Sequence, residues 1–380
     1  MRKICVVITA RPSYSRVKSM LYALKKSKYV KLDLVVMASA LSDRYGTAVD
    51  FIEKDGFEIS DKLYTLLEGS DIKSAPKTTA LGILELTTLF DRIKPDMVVT
   101  IADRYETIAT AIAASFMNIT LVHIQGGEVT GNIDEKVRHS ITKLADYHMV
   151  ASQDAADRVK KMGEIPENIF ITGCPSIDLA IGVNELDFDP HQKYGGVGSI
   201  DDISKGYIIV MQHPVTNEIS DAKKQIEETI RAVNNLNIPT FWFWPNVDSG
   251  SDLISKTLRV YRENGKFNHV HFFKNMEPID FLKLLKNAIC IIGNSSAGIR
   301  ESAFLGTYAI NVGTRQNRRE RAANVIDVDY DHVQIETAVK KIINSEPLGS
   351  SNIYGDGTAG KRIAGILETV ELINHKTIAY

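Results

Sequence analysis

Residues 97–124 read MVVTIADRYETIATAIAASFMNITLVHI. Two short and almost entirely apolar runs, 97–101 and 119–124, enclose a segment in which Ile108, Ile112 and Phe116 recur at helical spacing. Near-continuous apolar runs are typical of strands in a parallel sheet that helices cover on both faces. The stretch therefore predicts a strand–helix–strand unit of an α/β fold.

The same alternation continues in both directions along the chain and predicts doubly wound α/β domains. Residues 182–206 interrupt it with DFDP, GGVG and few apolar residues, which predicts the connection between two such domains. We expect domains at 1–183 and 207–362, a linker at 184–206 and a C-terminal helix within 360–375, in the segment 363–380. The predicted strands lie at 4–8, 32–37, 97–101, 119–124, 147–151, 169–172, 207–211, 240–244, 269–273, 288–292 and 308–312.

Composition excludes several classes of partner. The 380 residues carry 45 Lys+Arg against 47 Asp+Glu, a formal charge of -2, so no bulk positive field exists for nucleic acid or an anionic membrane. No apolar run approaches the ~18 residues that span a bilayer. Cys5, Cys174 and Cys290 lack metal-ligand spacing, and we expect Cys5 and Cys290 to be buried thiols of a cytoplasmic protein.

In such folds ligands bind beyond the carboxyl ends of the strands, and two sheets side by side leave a cleft between them. The first strand is followed by TARPSYSR, residues 9–16, which is no glycine-rich dinucleotide fingerprint, so a nicotinamide cofactor is not expected. Arg11 and Arg16 flank the start of a helix, an arrangement suited to phosphate. The alternative is a pair of solvated arginines.

Two further clusters follow the third and fourth predicted strands. Asp103 and Glu106 have capping-box spacing, so Asp103 is either a helix cap or a catalytic acid. Residues 123–135 read HIQGGEVTGNIDE, in which the double glycine predicts a sharp turn and Asn132 a helix cap. Asp134 falls in the first turn of that helix, and a polar loop at this position is typical of a functional site.

The second half of the chain carries a matching set. His213 ends a predicted strand in QHP and is either a site residue or a structural histidine. Residues 293–301 read GNSSAGIRE, where Ser295 and Ser296 are suited to a diphosphate and Glu301 to a sugar hydroxyl pair, although a plain serine cap is the alternative. Arg315 lies at the same predicted edge. Together the clusters indicate a nucleotide-diphosphate sugar in an interdomain cleft.

Seven motifs together resemble the UDP-N-acetylglucosamine 2-epimerases, most closely the hydrolysing branch that makes N-acetylmannosamine for sialic acid synthesis. The resemblance implies two Rossmann-like parallel-sheet domains in a GT-B arrangement, with the last helix packing back on the first domain. It implies a homodimer or homotetramer, and neither metal nor NAD. The motifs are ADRYET, HIQGGEVTGNIDEKVRHSITKLADYH, TGCPS, QHPVT, WPNVDSG, GNSSAGIRE and GTRQNRRER.

The resemblance also implies a reaction and its residues. UDP leaves UDP-N-acetylglucosamine as a base takes the C2 proton, and water adds to the resulting 2-acetamidoglucal to give free N-acetylmannosamine. The family's catalytic acids fall on Asp103, Gln125 and Asp134, and His213 fits its active-site histidine. Its nucleotide-binding positions fall on Arg11, Arg104, Asn246, Ser295, Ser296, Glu301 and Arg315.

One position departs from the family, because Gln125 stands where the family has a catalytic Glu. An amide cannot accept the C2 proton. Either the chain is an engineered inactive variant, which the intact neighbouring motifs favour, or it is a natural form in which Asp134 or Glu128 takes the role. A 2-epimerase of a UDP-diacetamido-trideoxyhexose on the legionaminic acid route, a GT-B glycosyltransferase and an inactive UDP-sugar-binding protein remain alternatives.

Overall fold

The structure, a computed structural model, describes residues 1–42, 48–67, 73–130, 133–200, 202–245, 250–373 and 375–379, and of Arg11 the backbone alone. The chain divides into two compact units. Unit 1 comprises Met1–Val129, Ile133–Asp178 and Tyr354–Tyr380, and unit 2 comprises Thr130–Asn132 and Leu179–Ile353. The chain leaves unit 1 after Asp178, where the sequence predicted a boundary at 183. It returns to unit 1 at Tyr354, where the sequence predicted a boundary at 363.

Unit 1 contains a seven-stranded parallel sheet in the order β3-β2-β1-β4-β5-β6-β7. Its strands are β1 Arg2–Ile8, β2 Val30–Met37, β3 Asp61–Leu63, β4 Met97–Ile101, β5 Thr120–Ile124, β6 Tyr147–Val150 and β7 Ile169–Ile171. Its first helices are α1 Arg11–Ser15, α2 Lys18–Lys26, α3 Ala48–Lys54, α4 Ser74–Ile93, α5 Thr107–Phe116, α6 Ile133–Leu144, α7 Gln153–Lys161 and α8 Pro175–Asp178. All residues of β4 and β5 are buried, as their apolar runs predict.

Unit 2 contains a second seven-stranded sheet in the order β14-β13-β12-β9-β10-β11-β8. Its strands are β8 Val197–Ser199, β9 Ile208–Met211, β10 Thr240–Phe243, β11 Val270–Phe273, β12 Cys290–Gly293, β13 Tyr308–Val312 and β14 Val325–Val328. Its helices are α9 Pro190–Tyr194, α10 Ala222–Leu236, α11 Ser251–Glu263, α12 Pro278–Lys286, α13 Glu301–Leu305 and α14 His332–Ile343. The prediction of two parallel-sheet α/β domains is therefore confirmed.

The stretch expected to be a linker, 184–206, belongs in part to the second sheet. β8 pairs antiparallel with β11 at the sheet edge. Gly198 has φ 105°, and a Cβ there would lie 2.3 Å from the carbonyl oxygen of Val270. The glycines that suggested a connection between domains permit a close backbone approach here, so this part of the expected linker is a strand of the second sheet.

The last helix, α15 Ala359–Thr369, packs against α2 in unit 1. The Asp178 carboxylate accepts hydrogen bonds from the amides of Ala359 at 2.9 Å and Gly360 at 2.7 Å, which satisfies the helix start. The helix ends at Thr369 rather than near residue 375, and beyond it the Glu371 carbonyl oxygen accepts a hydrogen bond from the Tyr147 hydroxyl at 2.9 Å. Within the described residues, no helix is long and apolar enough to cross a bilayer.

Candidate active site

The loops after β4 and β5 begin with an unusual backbone turn. Ala102 has φ 65° and Gln125 has φ 66°, values that non-glycine residues rarely adopt. Each amide still continues the sheet ladder, Ala102 to the Ile124 carbonyl at 2.9 Å and Gln125 to the Met149 carbonyl at 2.9 Å. Neighbouring strands of one sheet therefore turn sharply at the same edge, and local strain of this kind is typical of functional sites.

The double glycine after Gln125 fits where no other residue would. A Cβ on Gly126 would lie 2.9 Å from both His123 Nδ1 and Thr142 Oγ1. Gly127 has φ 75°, and its Cβ would lie 2.3 Å from the Ala155 carbonyl oxygen. The predicted sharp turn is present, and it presses the loop against α6 and α7.

A buried ion pair joins the two loops. Arg138, on α6 and 1% exposed, donates from Nη2 to the Asp103 carboxylate and from Nη1 to the Glu128 carbonyl oxygen at 2.7 Å. Burial disfavours its charge, but attraction to Asp103 and Glu128, the Asp103 hydrogen bond and attraction to Asp134 outweigh burial and raise the pKa of Arg138. Asp103, Glu128 and Asp134 therefore surround one permanently charged guanidinium.

The helix after β4 does not begin at Asp103, so the interpretation of Asp103 as its cap was wrong. α5 begins at Thr107, and its N-cap position is Glu106. The Glu106 side chain is fully buried and accepts hydrogen bonds from Ser39 at 2.8 Å and Arg104 at 3.2 Å. Asp103 is directed to Arg138 instead, 35 residues along the chain. Arg138 was not among the residues selected from sequence.

Gln125 has a different neighbour. Its side chain is 2% exposed and donates from Nε2 to Cys174 Sγ at 2.7 Å, and that sulfur lies 2.9 Å from Ser176 Oγ. Asp134 is partly buried in the first turn of α6, and Asn132, the expected cap, lies outside the described residues.

The thiols expected to be buried are buried. Burial raises the pKa of Cys5, and it raises that of Cys290 to about 12. His123, fully buried beside the loop, has its pKa lowered by burial to about 3, so it is neutral at pH 7.

In unit 2 the ends of β9 and β12 are tied together. Asn294 Oδ1 accepts from the His213 amide at 2.7 Å, and its Nδ2 donates to the His213 carbonyl at 2.8 Å. Gly293 has φ 130°, and a Cβ there would lie 2.2 Å from the Met211 carbonyl oxygen. His213 is thus held by its backbone at a close approach of two strands, and its side chain is buried.

The expected diphosphate loop forms a 3-10 turn, Ser296–Gly298, before α13. Ser295 Oγ accepts from the Ala297 amide at 3.3 Å, which is the capping alternative, while Ser296 Oγ accepts from Arg300 at 3.0 Å. The Glu301 Oε2 atom is buried and has no hydrogen-bond partner among the described residues.

An arginine and a glutamine that follow β13 contact the loop after β12. Arg315 donates to the Asn294 carbonyl at 3.1 Å, and Gln316 donates to the same oxygen at 2.8 Å. Arg315 thus lies against the loop that carries Ser295 and Ser296.

Three predicted positions remain, namely Arg11, Arg16 and Asn246. α1 begins at Arg11 as expected, and Arg16 is its C-cap residue, but the Arg11 side chain and Asn246 lie outside the described residues. In the part of the chain that the structure describes, no group of three or more His, Cys, Asp or Glu is placed to hold a metal ion.

Known proteins resemble the whole chain. The model of the family described as UDP-N-acetylglucosamine 2-epimerase matches residues 22–368. The UDP-N,N'-diacetylbacillosamine 2-epimerase (hydrolyzing) of Legionella pneumophila is 35% identical over 98% of this chain and 97% of its own length. Polysialic acid biosynthesis protein P7 of Escherichia coli is 32% identical over 87% of this chain and 83% of its own length.

A solved structure shows the same fold. The UDP-GlcNAc 2-epimerase of Methanocaldococcus jannaschii, crystallised with UDP-GlcNAc and UDP, aligns with a TM-score of 0.79 at 18% identity, over 96% of this chain and 99% of that one. The family match covers most of the chain, and the relatives cover nearly all of it. The chain belongs to the UDP-N-acetylglucosamine 2-epimerase family.

Proposed function

We propose that the chain is a hydrolysing 2-epimerase that converts a UDP-activated 2-acetamido sugar into UDP and the free sugar of inverted C2 configuration. The observation that carries the proposal is the ion pair between Asp103 and the buried Arg138, to whose charge Asp134 is also attracted. Carboxylates held beside one cation are suited to moving a proton at carbon. The Legionella pneumophila relative, whose name includes "hydrolyzing", supports the release of free sugar.

The reaction proceeds in two balanced steps. A carboxylate takes the C2 proton as the C2–H bond breaks, the electrons of that bond form the C1–C2 double bond, and the C1–oxygen bond to UDP breaks as UDP leaves. Water then adds its oxygen to C1, and a proton adds to C2 from the opposite face to that of the original hydrogen. We assign proton handling to Asp103 and Asp134, and to position 125 when it carries a carboxylate, because the amide of Gln125 can hydrogen-bond to the sugar but cannot accept the proton.

We assign the nucleotide to the second cluster. His213 and Arg315 are suited to the diphosphate, as are Ser295 and Ser296, since hydroxyls and arginine forks are its usual partners. The buried Glu301 oxygen supports a contact with the ribose hydroxyls. Arg11, Arg104 and Asn246 are proposed as further UDP-sugar contacts by resemblance, and Arg16 is proposed for its place at the end of α1.

Two sugars are candidates as substrate. UDP-N-acetylglucosamine would give N-acetylmannosamine for sialic acid synthesis, in line with the name of the Escherichia coli relative. UDP-N,N'-diacetylbacillosamine, a 2,4-diacetamido-2,4,6-trideoxy sugar nucleotide, is favoured by the higher identity to the Legionella pneumophila relative. Parallel assays of UDP release at equal concentrations of the two would identify the preferred sugar.

The reaction itself is tested by running it in heavy water and reading the product by NMR. We expect deuterium on C2, because the glucal intermediate carries no hydrogen there, and UDP and free sugar in equal amounts. Asp134→Asn, treated identically, should slow UDP release. A product of inverted C2 configuration that keeps its original hydrogen would overturn the mechanism, and a sugar transferred only to an added acceptor would indicate a glycosyltransferase.

A further inference from the structure

We propose that Arg138 is a positioning residue of this site, which holds Asp103 as an aligned and ionised carboxylate. The inference rests on the proposed function for its catalytic meaning, whereas the ion pair stands on the structure alone. Arg138 lies outside every motif position that the family resemblance assigned a role.

The geometry gives Arg138 two simultaneous contacts. Its Nη2 meets the carboxylate of Asp103 after β4, and its Nη1 meets the carbonyl of Glu128 after β5. β4 and β5 are hydrogen-bonded neighbours, so one guanidinium fixes two adjacent site loops to α6. The planar guanidinium of an arginine can donate to both partners at once. The ammonium of a lysine is a compact point charge and would hold the two partners less well.

The charge balance around Arg138 gives the pair its chemical consequence. Asp103, Glu128 and Asp134 all act on the guanidinium, and the buried His123 beside it is neutral at pH 7. The direct ion pair favours the ionised form of Asp103 over that of an ordinary aspartate. Asp103 is therefore ionised, and able to accept a proton, at a pH where an unpaired aspartate would already have begun to bind one.

Removing the guanidinium should let Asp103 bind a proton at higher pH. In Arg138→Gln we expect kcat to fall at least ~10²-fold, with KM changed less than about threefold. The acid limb of the kcat/KM profile should move up by about one to three pH units. Arg138→Lys should restore part of kcat and return the limb toward that of the wild type.

A matched control is available in Arg158, which lies on α7 and contacts the same loop. Arg158 donates to the Gly127 carbonyl at 3.2 Å but pairs with Asp154 at the surface. Arg158→Gln should leave the acid limb in place. Arg138→Gln combined with Asp103→Asn should be no slower than Asp103→Asn alone, because Arg138 acts through Asp103. Additive losses in that double variant would overturn the proposal, as would an unmoved acid limb in folded Arg138→Gln.

A readout independent of turnover separates this inference from the proposed function. Aspartate labelled with ¹³C at its carboxyl gives an NMR signal for Asp103, identified by its loss in Asp103→Asn. In the wild type that signal should titrate below the ordinary value of about 3.9, and at higher pH in Arg138→Gln. A wild-type midpoint at or above the ordinary value would refute the pairing role, even if Arg138→Gln fails to fold. Absence of UDP release from both sugars would refute only the proposed function.

Discussion

The Asn294 side chain bonds to His213 in both directions, accepting from its amide at 2.7 Å and donating to its carbonyl at 2.8 Å. A primary amide is the only common side-chain group that offers a donor and an acceptor side by side in one plane. The pair therefore fixes the backbone of His213 at the end of β9. The backbone carbonyl oxygen of Asn294 is in turn held by Arg315 and Gln316, so the contact joins three strand ends.

We expect Asn294→Ala to destabilise unit 2 by about 2–4 kcal/mol, because two buried backbone groups lose their partners. Trp242 and Trp244 are the chain's two tryptophans and both lie in unit 2, so urea unfolding followed by tryptophan fluorescence reports on this unit. Asn344→Ala, which removes an exposed amide that bonds to the Lys340 carbonyl, is the control and should cost under about 0.5 kcal/mol. Equal midpoints for the two variants would show that the pair is not required.

The sequence predicts the interior strands well and the edge strands poorly. Runs such as 97–101 and 308–312 are buried on both faces and read as continuous apolar segments, and both became strands. β3, β8 and β14 were missed, and each lies at a sheet edge and is largely partly buried or exposed. Their pairing depends on a neighbour brought up by the fold, which leaves little mark on local composition.

The candidate site divides in the same way. Polar residues after strands were found because the fold brings strand ends to one edge. Arg138 was missed because the interpretation of α6 stopped at Asn132 and Asp134 at its start, whereas Arg138 is buried one turn further along the helix. Arg138 follows Asp134 by one helical turn, and this spacing was the available signal that it could belong to the site. Its partner Asp103 is 35 residues away in sequence, so the ion pair itself left no local pattern.

Gln125→Glu should raise turnover at least ~10²-fold, because a carboxylate can accept the C2 proton and an amide cannot. The Cys174 thiol that now receives the amide hydrogen bond at 2.7 Å can instead donate to the carboxylate, so the contact can be kept. UDP release under saturating substrate is the measurement, and Gln125→Met, similar in size without a carboxylate, is the control. Equal rates for the wild type and Gln125→Glu would assign the proton to Asp134 or Glu128.

Arg315→Ala should weaken UDP binding by about 1.5–3 kcal/mol, the usual strength of a charge-assisted phosphate contact. The Asn294 carbonyl oxygen keeps a hydrogen bond in this variant, because Gln316 continues to donate to it at 2.8 Å. Calorimetric titration with UDP is the measurement. Arg231→Ala, which removes an exposed arginine of the same unit paired with Glu228 at 2.9 Å, should bind UDP normally. Unchanged affinity in Arg315→Ala would place the diphosphate elsewhere.

A buried charge cluster predicts how unit 1 responds to acid. Glu164 is 2% exposed and is bonded by His148 at 2.9 Å, Lys143 at 2.6 Å and Lys376 of the C-terminal tail at 2.5 Å. Burial alone would raise the pKa of Glu164, but these hydrogen bonds outweigh burial and lower it from 4.5 to about 2. Burial also lowers the pKa of His148 despite its bond to Glu164.

Both shifts have the same sign for stability. A carboxylate with a depressed pKa stabilises the fold above its unfolded value and loses that contribution as pH falls through the folded value. A histidine kept neutral by burial also costs stability once the unfolded chain binds a proton below about pH 6.5. Unit 1 should therefore weaken as pH falls below about 6.5, with the Glu164 contribution declining between its values of 4.5 and about 2.

Glu164→Gln isolates the carboxylate part of this response. Relative to the variant, the wild type should lose about 2 kcal/mol of its advantage between pH 7 and pH 3, the amount that linkage gives for these two pKa values. Hydrogen exchange of the buried β6 amides, corrected for intrinsic rates at each pH, measures this loss of stability. Tryptophan fluorescence cannot be used, because both tryptophans lie in unit 2 and Glu164 lies in unit 1. Glu167→Gln, an exposed neighbour, should match the wild type at both pH values. A wild-type advantage that stays constant down to pH 3 would show that Glu164 titrates normally and that Lys143, His148 and Lys376 do not hold its charge.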